Sequence, residues 1–438
     1  EYLCHVQDAE GVTTTCHDRL SGKDFTIRSK YLVGADGGNS LVADHAGLPF
    51  EGQMGVGGSM NILFRADLSR YVAHRPSVLY WVMQPGADVG GIGMGLVRMV
   101  RPWNEWLIVW GYDISQPAPE VDAAMATQVA RQLVGDPDLE IELISANTWT
   151  VNNMYAMRMQ EGRVFIMGDA AHRHPPSNGL GSNTSIQDSF NLAWKLAAVL
   201  KGQATPALLD TYTAERAPVA KQIVTRANQS IAEFGPIFES LGMGEGVDPD
   251  VMAATKAKRC DIGGEAEAQR VEMHQRYSSD AAVSDGQLEP DFELDADLHY
   301  QPTTWPGARI PHVWVFDRAG GKHSTLDLCG KGRFALFTGI GGEDWRDAVE
   351  TLSAELGLDI DLRVIGPRQD WLDHTGDWAR AREIGDTGCL LVRPDQHVAW
   401  RVAALPEDPA AELRRVLRQI LGHDTVAKTE AAREMADA

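Results

Sequence analysis

The chain has 438 residues, 44% of them hydrophobic and 23% charged, and its 40 Lys and Arg against 61 Asp and Glu give a net charge of −21 at pH 7. This length supports two or three hydrophobic cores, and the acidic balance argues against nucleic acid or an anionic membrane as a partner. No apolar run approaches the roughly 18 residues that span a membrane, and the scattered cysteines indicate neither a disulfide framework nor a metal site. We therefore expect a soluble, cytoplasmic protein of several domains.

The amino-terminal residues predict two strands, 1–6 and 24–29, around a polar Ser-Gly-Lys turn. A short apolar run, Tyr31–Val33, then leads into Asp36-Gly37, which taken alone is only a common turn. The sequence lacks the GxGxxG turn between a strand and a helix that holds a dinucleotide pyrophosphate. Because the chain also starts in mid-fold and without Met, we expect it to be an amino-truncated piece of a longer protein.

Residues 51–150 predict an antiparallel sheet, because strand-like runs follow one another with short turns between them. The predicted strands are 60–64, 77–84, 90–100 and 105–111, followed by a helix over 122–134 and a return strand over 140–145. Aromatic residues are dense in this region, and a pocket for a planar ring would use some of them, while most belong to the core. They are Tyr80, Trp81, Trp103, Trp106, Trp110 and Trp149.

The most informative segment is 162–183, whose order of features is typical of a site for a flat, polar cofactor. Val164–Met167 predicts a covered strand, and Asp169 follows its carboxyl end, where open sheets bind ligands. A double proline stiffens the next turn, and the glycines after it let the backbone approach a ring closely. A helix is predicted over Thr184–Leu200, with its amino end aimed at the same place. Its predicted apolar face consists of Ile186, Phe190, Ala193, Ala197 and Leu200.

The carboxyl-terminal third predicts a further α/β domain, in which a β-α-β unit is followed by a β-β-α unit. The elements are strands at 324–328, 333–340 and 361–365, a helix at 343–356, a hairpin at 388–402 that turns at Pro394-Asp395, and a helix at 409–421. Residues 235–297 predict a helix and an exposed linker, and 425–438 a frayed helix.

Two motifs in these segments resemble those of the FAD-dependent aromatic hydroxylases, the class A flavin monooxygenases that include para-hydroxybenzoate and phenol hydroxylases. Gly168-Asp169 resembles the GD motif, whose Asp contacts the ribityl chain of FAD, and Asp36-Gly37 resembles the DG motif, near the cofactor's phosphates and the path of the nicotinamide. The segment after the second proline resembles the loop along the isoalloxazine ring. The cofactor-binding candidates are therefore Asp36, Gly37, Gly168, Asp169, Pro176, Gly179, Leu180, Gly181, Ser182 and Asn183.

The same resemblance bears on several other residues. Asn39 stands where many relatives carry Arg, so no phosphate-binding role is assigned to it. His174, beside the place of the ring, is the candidate catalytic residue for proton relay, and a packing role fits it equally well. Tyr212, Glu215 and Arg216 resemble a segment that braces the FAD domain, and we interpret them as structural.

The resemblance implies a mixed α/β fold with three parts: a para-hydroxybenzoate hydroxylase-like FAD domain lacking its first βαβ unit, an antiparallel substrate sheet and a carboxyl-terminal thioredoxin-like domain. The expected divisions are 1–50 and 151–234 for the FAD domain, 51–150 for the sheet, 235–297 for the helix and linker, and 298–438 for the last domain. Without CxxC spacing, the last domain is expected to serve packing or contact between subunits of a homo-oligomer rather than dithiol chemistry.

The implied activity is hydroxylation of a phenolic ring with FAD, dioxygen and NADPH or NADH, through a flavin C4a-hydroperoxide. Residues 173–188, together with Met54-Gly55, His74–Pro76 and Tyr80-Trp81, are most similar to the chlorophenol hydroxylases. A larger polycyclic aromatic is the alternative substrate within the class. From a different class, the missing GxGxxG turn motivates a cofactor-free binding or assembly module.

Overall fold

The computed structural model describes residues 1–82, 95–176, 179–240, 273–292, 294 and 299–424. The strands up to residue 173 are β1 (Tyr2–Gln7), β2 (Val12–Asp18), β3 (Lys23–Ser29), β4 (Leu32–Gly34), β5 (Phe50–Arg65), β6 (Leu79–Val82), β7 (Gly95–Arg101), β8 (Glu105–Tyr112), β9 (Glu142–Ala156), β10 (Gln160–Glu161), β11 (Val164–Ile166) and β12 (His172–Arg173). The helices up to residue 240 are α1 (Leu41–His45), α2 (Ser69–Val72), α3 (Ala123–Val134), α4 (Leu180–Leu200) and α5 (Ala207–Ser240).

Residues 299–424, here called the C-terminal unit, contain the remaining named elements. The strands are β13 (Trp314–Asp317), β14 (Lys322–Ser324), β15 (Phe334–Thr338), β16 (Ile360–Val364), β17 (Trp371–Leu372), β18 (Cys389–Val392) and β19 (Val398–Val402). The helices are α6 (Trp345–Leu356), α7 (Asp377–Ala381) and α8 (Pro409–Ile420).

The first three strands form an antiparallel meander in the order β1-β2-β3. The prediction of only two strands here was wrong, because the β-branched run at 12–15 forms the central strand and buries Val12 and Thr14. A second small sheet has the order β10-β11-β4, in which β4 and β11 run parallel although their paired residues are 132 positions apart. This pairing fixes the position of the candidate site.

The predicted antiparallel sheet is confirmed, with six strands in the order β12-β9-β5-β8-β7-β6. Helix α3 begins after the N-cap Asp122, whose side chain accepts a hydrogen bond from the Met125 N–H, and covers one face of the sheet. The predicted return strand is longer than expected, since β9 runs to Ala156 and pairs with almost the whole of β5. Part of the predicted strand at 90–100 lies outside the described residues.

Helix α4 differs from its prediction in both its start and its buried face. It begins at Leu180 after the N-cap Gly179, so Thr184 lies inside the helix. Four of the five residues of the predicted apolar face are exposed: Ile186, Phe190, Ala193 and Leu200. The side chains that α4 buries include four polar ones: Thr184, Asp188, Asn191 and Lys195. The prediction failed because the charged members of this set have ion-pair partners on distant segments.

The C-terminal unit has the predicted strand and helix order around a four-stranded sheet, β16-β15-β18-β19. Strands β15 and β16 are parallel and joined through α6, whereas β18 and β19 form the predicted hairpin. The predicted strand at 324–328 was wrong, because Ser324 and Asp327 form a capping box that starts a 3-10 helix over Thr325–Leu328. The predicted helix at 425–438 lies outside the described residues, as does much of 235–297. The predicted exposure of that linker was wrong where it is described, because Tyr277, Ala281 and Val283 are buried and the last two pack into the core shared with the C-terminal unit.

One hydrophobic core joins the C-terminal unit to helices α4 and α5. Trp194 and Ala198 of α4 and Leu208 of α5 belong to the same buried cluster as Phe334 and Trp345. The Trp194 and Phe334 rings meet edge to face, with centroids 5.8 Å apart. None of the helices in the described ranges is long and apolar enough to cross a bilayer.

Candidate cofactor site

The two predicted motifs meet at one edge of the small parallel sheet. Gly34 of β4 pairs with Ile166 of β11, and the Met167 N–H donates to the Gly34 carbonyl over 3.0 Å. Asp36 lies two residues beyond Gly34, and Asp169 lies three residues beyond Ile166. The carboxyl ends of parallel strands lie at the same edge of a sheet, which is where α/β proteins bind ligands.

Asp169 is exposed in a 3-10 turn, Gly168–Ala170, that directly follows β11. Its backbone carbonyl accepts a hydrogen bond from Arg173 Nε at 3.2 Å, but within the described part of the chain its carboxylate has no hydrogen-bond or ion-pair partner. A free carboxylate at this edge is available to accept hydrogen bonds from the hydroxyl groups of a ligand.

Asp36 has a different environment, because its carboxylate is already engaged. Ser40 Oγ donates to Oδ1 at 2.5 Å, and the Val42 N–H donates to Oδ2 at 3.1 Å, so Asp36 secures the start of α1. Gly37, with φ +83°, has no heavy atom within 4 Å of the place where a Cβ would lie. At the DG motif, therefore, the side chain braces the turn and the glycine leaves the approach open.

The loop before α4 provides a second open approach. Gly179 has φ +66° and no heavy atom within 4 Å of a Cβ position, and no side chain caps the helix that follows it. Asn183 donates through Nδ2 to the Gly179 carbonyl at 3.2 Å. Leu180 is fully buried in a cluster with Val219 and Ile223, so only its backbone faces the loop. An uncapped helix start favours an electron-rich group at this place.

His174 is held in one orientation beside this loop. Its Nδ1 lies 2.7 Å from the Pro175 carbonyl, and its ring stacks on His172 with centroids 6.3 Å apart. Burial lowers the pKa of His174 below its ordinary value, so the ring is neutral at pH 7. Nδ1 must carry the hydrogen that the carbonyl accepts, which leaves Nε2 as an acceptor next to Gly181.

Sequence reasoning missed Arg173, which lies beside both motifs: its Nε donates to the Asp169 carbonyl, and its Cδ lies 3.9 Å from the place of a Cβ on Gly38. Its guanidinium lies over the Phe50 ring at 5.0 Å, and Nη1 lies 3.4 Å from Met154 Sδ and 3.7 Å from Met54 Sδ. Burial lowers the pKa of Arg173, while Asp44, Asp169 and Asp36 oppose that change. The only available signal was the position of this residue between the GD motif and the prolines.

A buried carboxylate beneath the GD turn was also missed. Asp188 of α4 accepts the Gly168 N–H at 3.0 Å and lies 2.8 Å from His172 Nε2, both through Oδ2. Its Oδ1 accepts from Arg216 Nε at 2.7 Å. Burial alone would raise the pKa of Asp188, but Arg216 and His172 lower it to about 2. This charged group fixes the backbone immediately before Asp169.

The face of the six-stranded sheet opposite α3 carries polar groups. The density of aromatic residues in the sequence of this region gave no indication of them. Ser59 pairs with Trp149, and Trp149 Nε1 donates to Asn61 Oδ1 at 3.1 Å, so these three side chains share that face. Ser59 is fully buried, and its hydroxyl has no partner among the residues that the structure describes. Trp106 and Trp110 instead lie in the core under α3.

A planar cofactor bearing hydroxyl groups and an electron-rich edge fits this arrangement. The free Asp169 carboxylate suits the hydroxyl groups, and the open space at Gly37 and Gly179 suits close approach of a ring. In the described ranges, no three His, Cys, Asp or Glu side chains group in a way that would hold a metal ion.

Comparisons with known proteins agree with this fit. A family model described as an FAD binding domain matches residues 1–227, and one described as the C-terminal part of aromatic-ring hydroxylases matches residues 303–423. The 2,4-dichlorophenol 6-monooxygenase of Cupriavidus pinatubonensis is 54% identical, covering 97% of this chain and 74% of that protein. Phenol 2-monooxygenase of a Pseudomonas species is 46% identical, covering 95% and 70%. The crystal structure of the flavin-dependent monooxygenase PieE with FAD and substrate has a TM-score of 0.85 and 41% identity, covering 96% of this chain and 75% of that one.

Proposed function

The chain belongs to the FAD-dependent aromatic-ring hydroxylases, and from this membership we propose that it hydroxylates a phenol, with a chlorophenol as the preferred substrate, using dioxygen and NADPH or NADH. The family, the fold class and FAD as the cofactor, all predicted from the sequence, are confirmed. When bound, FAD supplies the electron transfer and oxygen activation that amino-acid side chains lack.

We assign the cofactor contacts to the two motifs and the loop. The Asp169 carboxylate would accept hydrogen bonds from the ribityl hydroxyls, and the backbone of Gly179–Asn183 would contact the ring. Gly37 leaves space for the cofactor, while Asp36 keeps α1 and the DG turn in place. The observation that carries this assignment is the parallel pairing of β4 with β11, which brings both motifs to one sheet edge next to a free carboxylate.

We place the phenol against the sheet face of Ser59, Asn61 and Trp149. Trp149 offers a partly exposed aromatic surface, and beside it the Asn61 side chain, whose Oδ1 accepts from Trp149, has an amide group that can donate to a phenolic oxygen. Neutral His174, with Nε2 as an acceptor, is the candidate to take up a proton on the cofactor side. A site closed to water on this face would protect the oxygen transfer.

The test of this function is product formation. The purified chain is expected to be yellow with bound FAD, to consume NADPH when 2,4-dichlorophenol is added, and to give a product one oxygen heavier by mass spectrometry. Phenol and a polycyclic phenol, the alternative substrate expected from the sequence, complete the panel. A colourless, inert protein would favour the binding or assembly module.

Asp169→Ala is expected to weaken FAD binding by about 1.5–3 kcal/mol for each charged hydrogen bond that is lost. The exposed side chain has no partner in the described part of the chain, so the thermal stability of the FAD-free protein is expected to stay unchanged. Titration of FAD-free protein with FAD, followed by flavin fluorescence, measures the affinity. Asp370→Ala, which alters an exposed carboxylate of the C-terminal unit, is the control, and equal affinities in the two variants would refute the assignment.

We further propose a cytoplasmic homo-oligomer with the domain divisions expected from the sequence. The four cysteines in the described ranges, Cys4, Cys16, Cys329 and Cys389, are free thiols, which supports a reducing compartment. Exposed Trp314 and Ile340 of the C-terminal unit supply apolar surface for a subunit contact. Light scattering of the purified protein measures the assembly state.

A further inference from the structure

Six charged side chains form what we call the buried ion network, which joins the C-terminal unit to α4 and α5 beneath the GD turn. Each is at most 3% exposed. They are Asp188 and Lys195 of α4, Glu215 and Arg216 of α5, and Arg393 and Asp395 of the turn between β18 and β19. Three cations and three anions balance in charge, as buried ions require.

Arg393 is the contact from the C-terminal unit to α5. Its Nη1 and Nη2 donate to the two oxygens of Glu215 at 2.5 and 2.8 Å, and its Nε and Nη2 donate to Asp395 at 3.0 and 2.6 Å. Lys195 Nζ adds a third contact to Glu215 at 2.7 Å. A guanidinium that grips a carboxylate with two parallel hydrogen bonds fixes its orientation as well as its position. Arg393 therefore sets where this turn of α5 lies.

The next residue of α5, Arg216, carries the contact on to the cofactor site. Its Nε donates to Asp188 Oδ1 at 2.7 Å, and Asp188 Oδ2 accepts the Gly168 N–H at 3.0 Å. Gly168 has φ +62° and directly precedes Asp169. A continuous series of buried contacts therefore leads from Arg393 to the backbone before Asp169. Arg393 binds Glu215, the neighbouring Arg216 binds Asp188, and Asp188 binds the Gly168 N–H.

Tyr277 gives a second connection between the same two arginines. The Arg216 guanidinium lies 5.9 Å from the Tyr277 ring centroid and that of Arg393 lies 5.2 Å from it. The Tyr277 hydroxyl accepts from Arg216 Nη1 at 3.1 Å, and its ring stacks on His397 of the C-terminal unit with centroids 4.1 Å apart. Arg216 is therefore held by Asp188 through its Nε and by Tyr277 through its Nη1.

We propose that Arg393 is a positioning residue for the cofactor site, acting through Glu215, Arg216 and Asp188 on the GD turn. The inference rests on the cofactor site proposed above, and it gives the C-terminal unit a role in FAD affinity in addition to packing. If the network only stabilised the fold, a comparable buried arginine elsewhere in the unit would affect FAD binding in the same way.

Arg401 supplies that comparison. It is 6% exposed and pairs with Asp285 at 2.5 Å and Glu383 at 2.6 Å. Like Arg393 it holds two carboxylates, but none of its described partners lies on α4 or α5. Arg401→Met and Arg393→Met thus each remove a buried guanidinium from the same unit.

The experiment titrates FAD into the FAD-free full chain and its variants, with flavin fluorescence for the dissociation constant and a thermal melt for stability. Both arginine variants are expected to lower the melting temperature. Only Arg393→Met is expected to raise the dissociation constant for FAD, by about tenfold, equivalent to about 1.4 kcal/mol. Ser279→Ala, which removes a hydroxyl that donates to Glu215 at 2.6 Å, is the milder variant should Arg393→Met not fold. We expect it to raise the constant about threefold.

The outcomes separate this inference from the proposed function. Equal FAD constants in Arg393→Met and Arg401→Met overturn the positioning role, as does an unchanged constant in Ser279→Ala if Arg393→Met does not fold. Neither result bears on phenol hydroxylation by the wild-type chain, which the product assay tests. A wild-type chain that binds no FAD would overturn the cofactor site and this inference together.

Discussion

Glu215→Gln is expected to lower the free energy of unfolding by about 3–5 kcal/mol, because it leaves buried cations without their counter-charge. Burial alone would raise the pKa of Glu215, but Arg393 and Lys195 lower it below its ordinary value, so the group is fully ionised at pH 7. Burial also lowers the pKa of Lys195 to about 8, against the attraction of Glu215. Removing the carboxylate charge therefore leaves Lys195 as well as Arg393 poorly compensated.

Urea denaturation at pH 7 measures this loss, provided that the transition is two-state. Glu355→Gln is the matched control, because Glu355 contacts Arg414 at 2.8 Å on the surface, where water screens the pair. No measurable change is expected there. A loss below about 1 kcal/mol in Glu215→Gln, similar to that of an exposed pair, would show that the buried network does not depend on this carboxylate.

Asp188→Asn is expected to cost about 3–5 kcal/mol at pH 7 and also to alter the acid sensitivity of the protein. An amide has one acceptor oxygen where the carboxylate has two, so Arg216 and the Gly168 N–H can no longer both be satisfied. The folded pKa of Asp188 is about 2 against an ordinary 3.8, so its ionisation contributes stability that is complete above about pH 4 and is lost as the pH falls towards 2.

The size of this pH-dependent part is about 2 kcal/mol, from the difference between 3.8 and about 2 at 1.36 kcal/mol per pKa unit. Unfolding free energies measured from pH 5 to pH 2 should therefore fall less steeply in Asp188→Asn than in the wild type. Parallel curves would contradict the assignment. Asp408→Asn, at the exposed N-cap of α8, controls for the loss of a carboxylate elsewhere.

Local pattern was enough to predict the elements that bury a regular apolar face. The helix at 122–134 and the hairpin at 388–402 were predicted because their periodicity and turn residues agree with their tertiary environment. The GD and DG motifs could be paired from sequence only through the family resemblance, since nothing local indicates that β4 and β11 are neighbours.

Contacts between distant charges explain most of what was missed. Arg393 binds Glu215 across 178 positions, and no composition or spacing identifies such a pair. The sequence pattern predicts that the face of α4 with Asp188 and Lys195 is exposed to solvent, because charged residues are normally solvated, whereas the structure buries it. The carboxylate of Asp36, a predicted cofactor-binding residue, accepts hydrogen bonds from Ser40 and Val42 at the start of α1, a local contact that only the structure reveals.

The strand register shows on which face of the six-stranded sheet each aromatic residue lies, and composition alone could not show this. Trp81 and Trp149 lie on the sheet face of Ser59, whereas Tyr80, Trp106 and Trp110 lie on the face covered by α3. Because successive residues of a strand alternate between faces, the assignment needs only the pairing and one buried reference residue. Once the register is known, the candidate substrate face follows directly.

The shared core of α4, α5 and the C-terminal unit limits how enzymes of this kind can be recombined. A chimera with a crossover between residues 230 and 299 would join α4 and α5 of one parent to the C-terminal unit of another, and would have to match Trp194 against Phe334 and Glu215 against Arg393. Exchange of residues 57–151, most of the six-stranded sheet, crosses none of these contacts. With the phenol placed on this sheet as proposed above, substrate range is the property that we expect grafting to transfer with the least disruption.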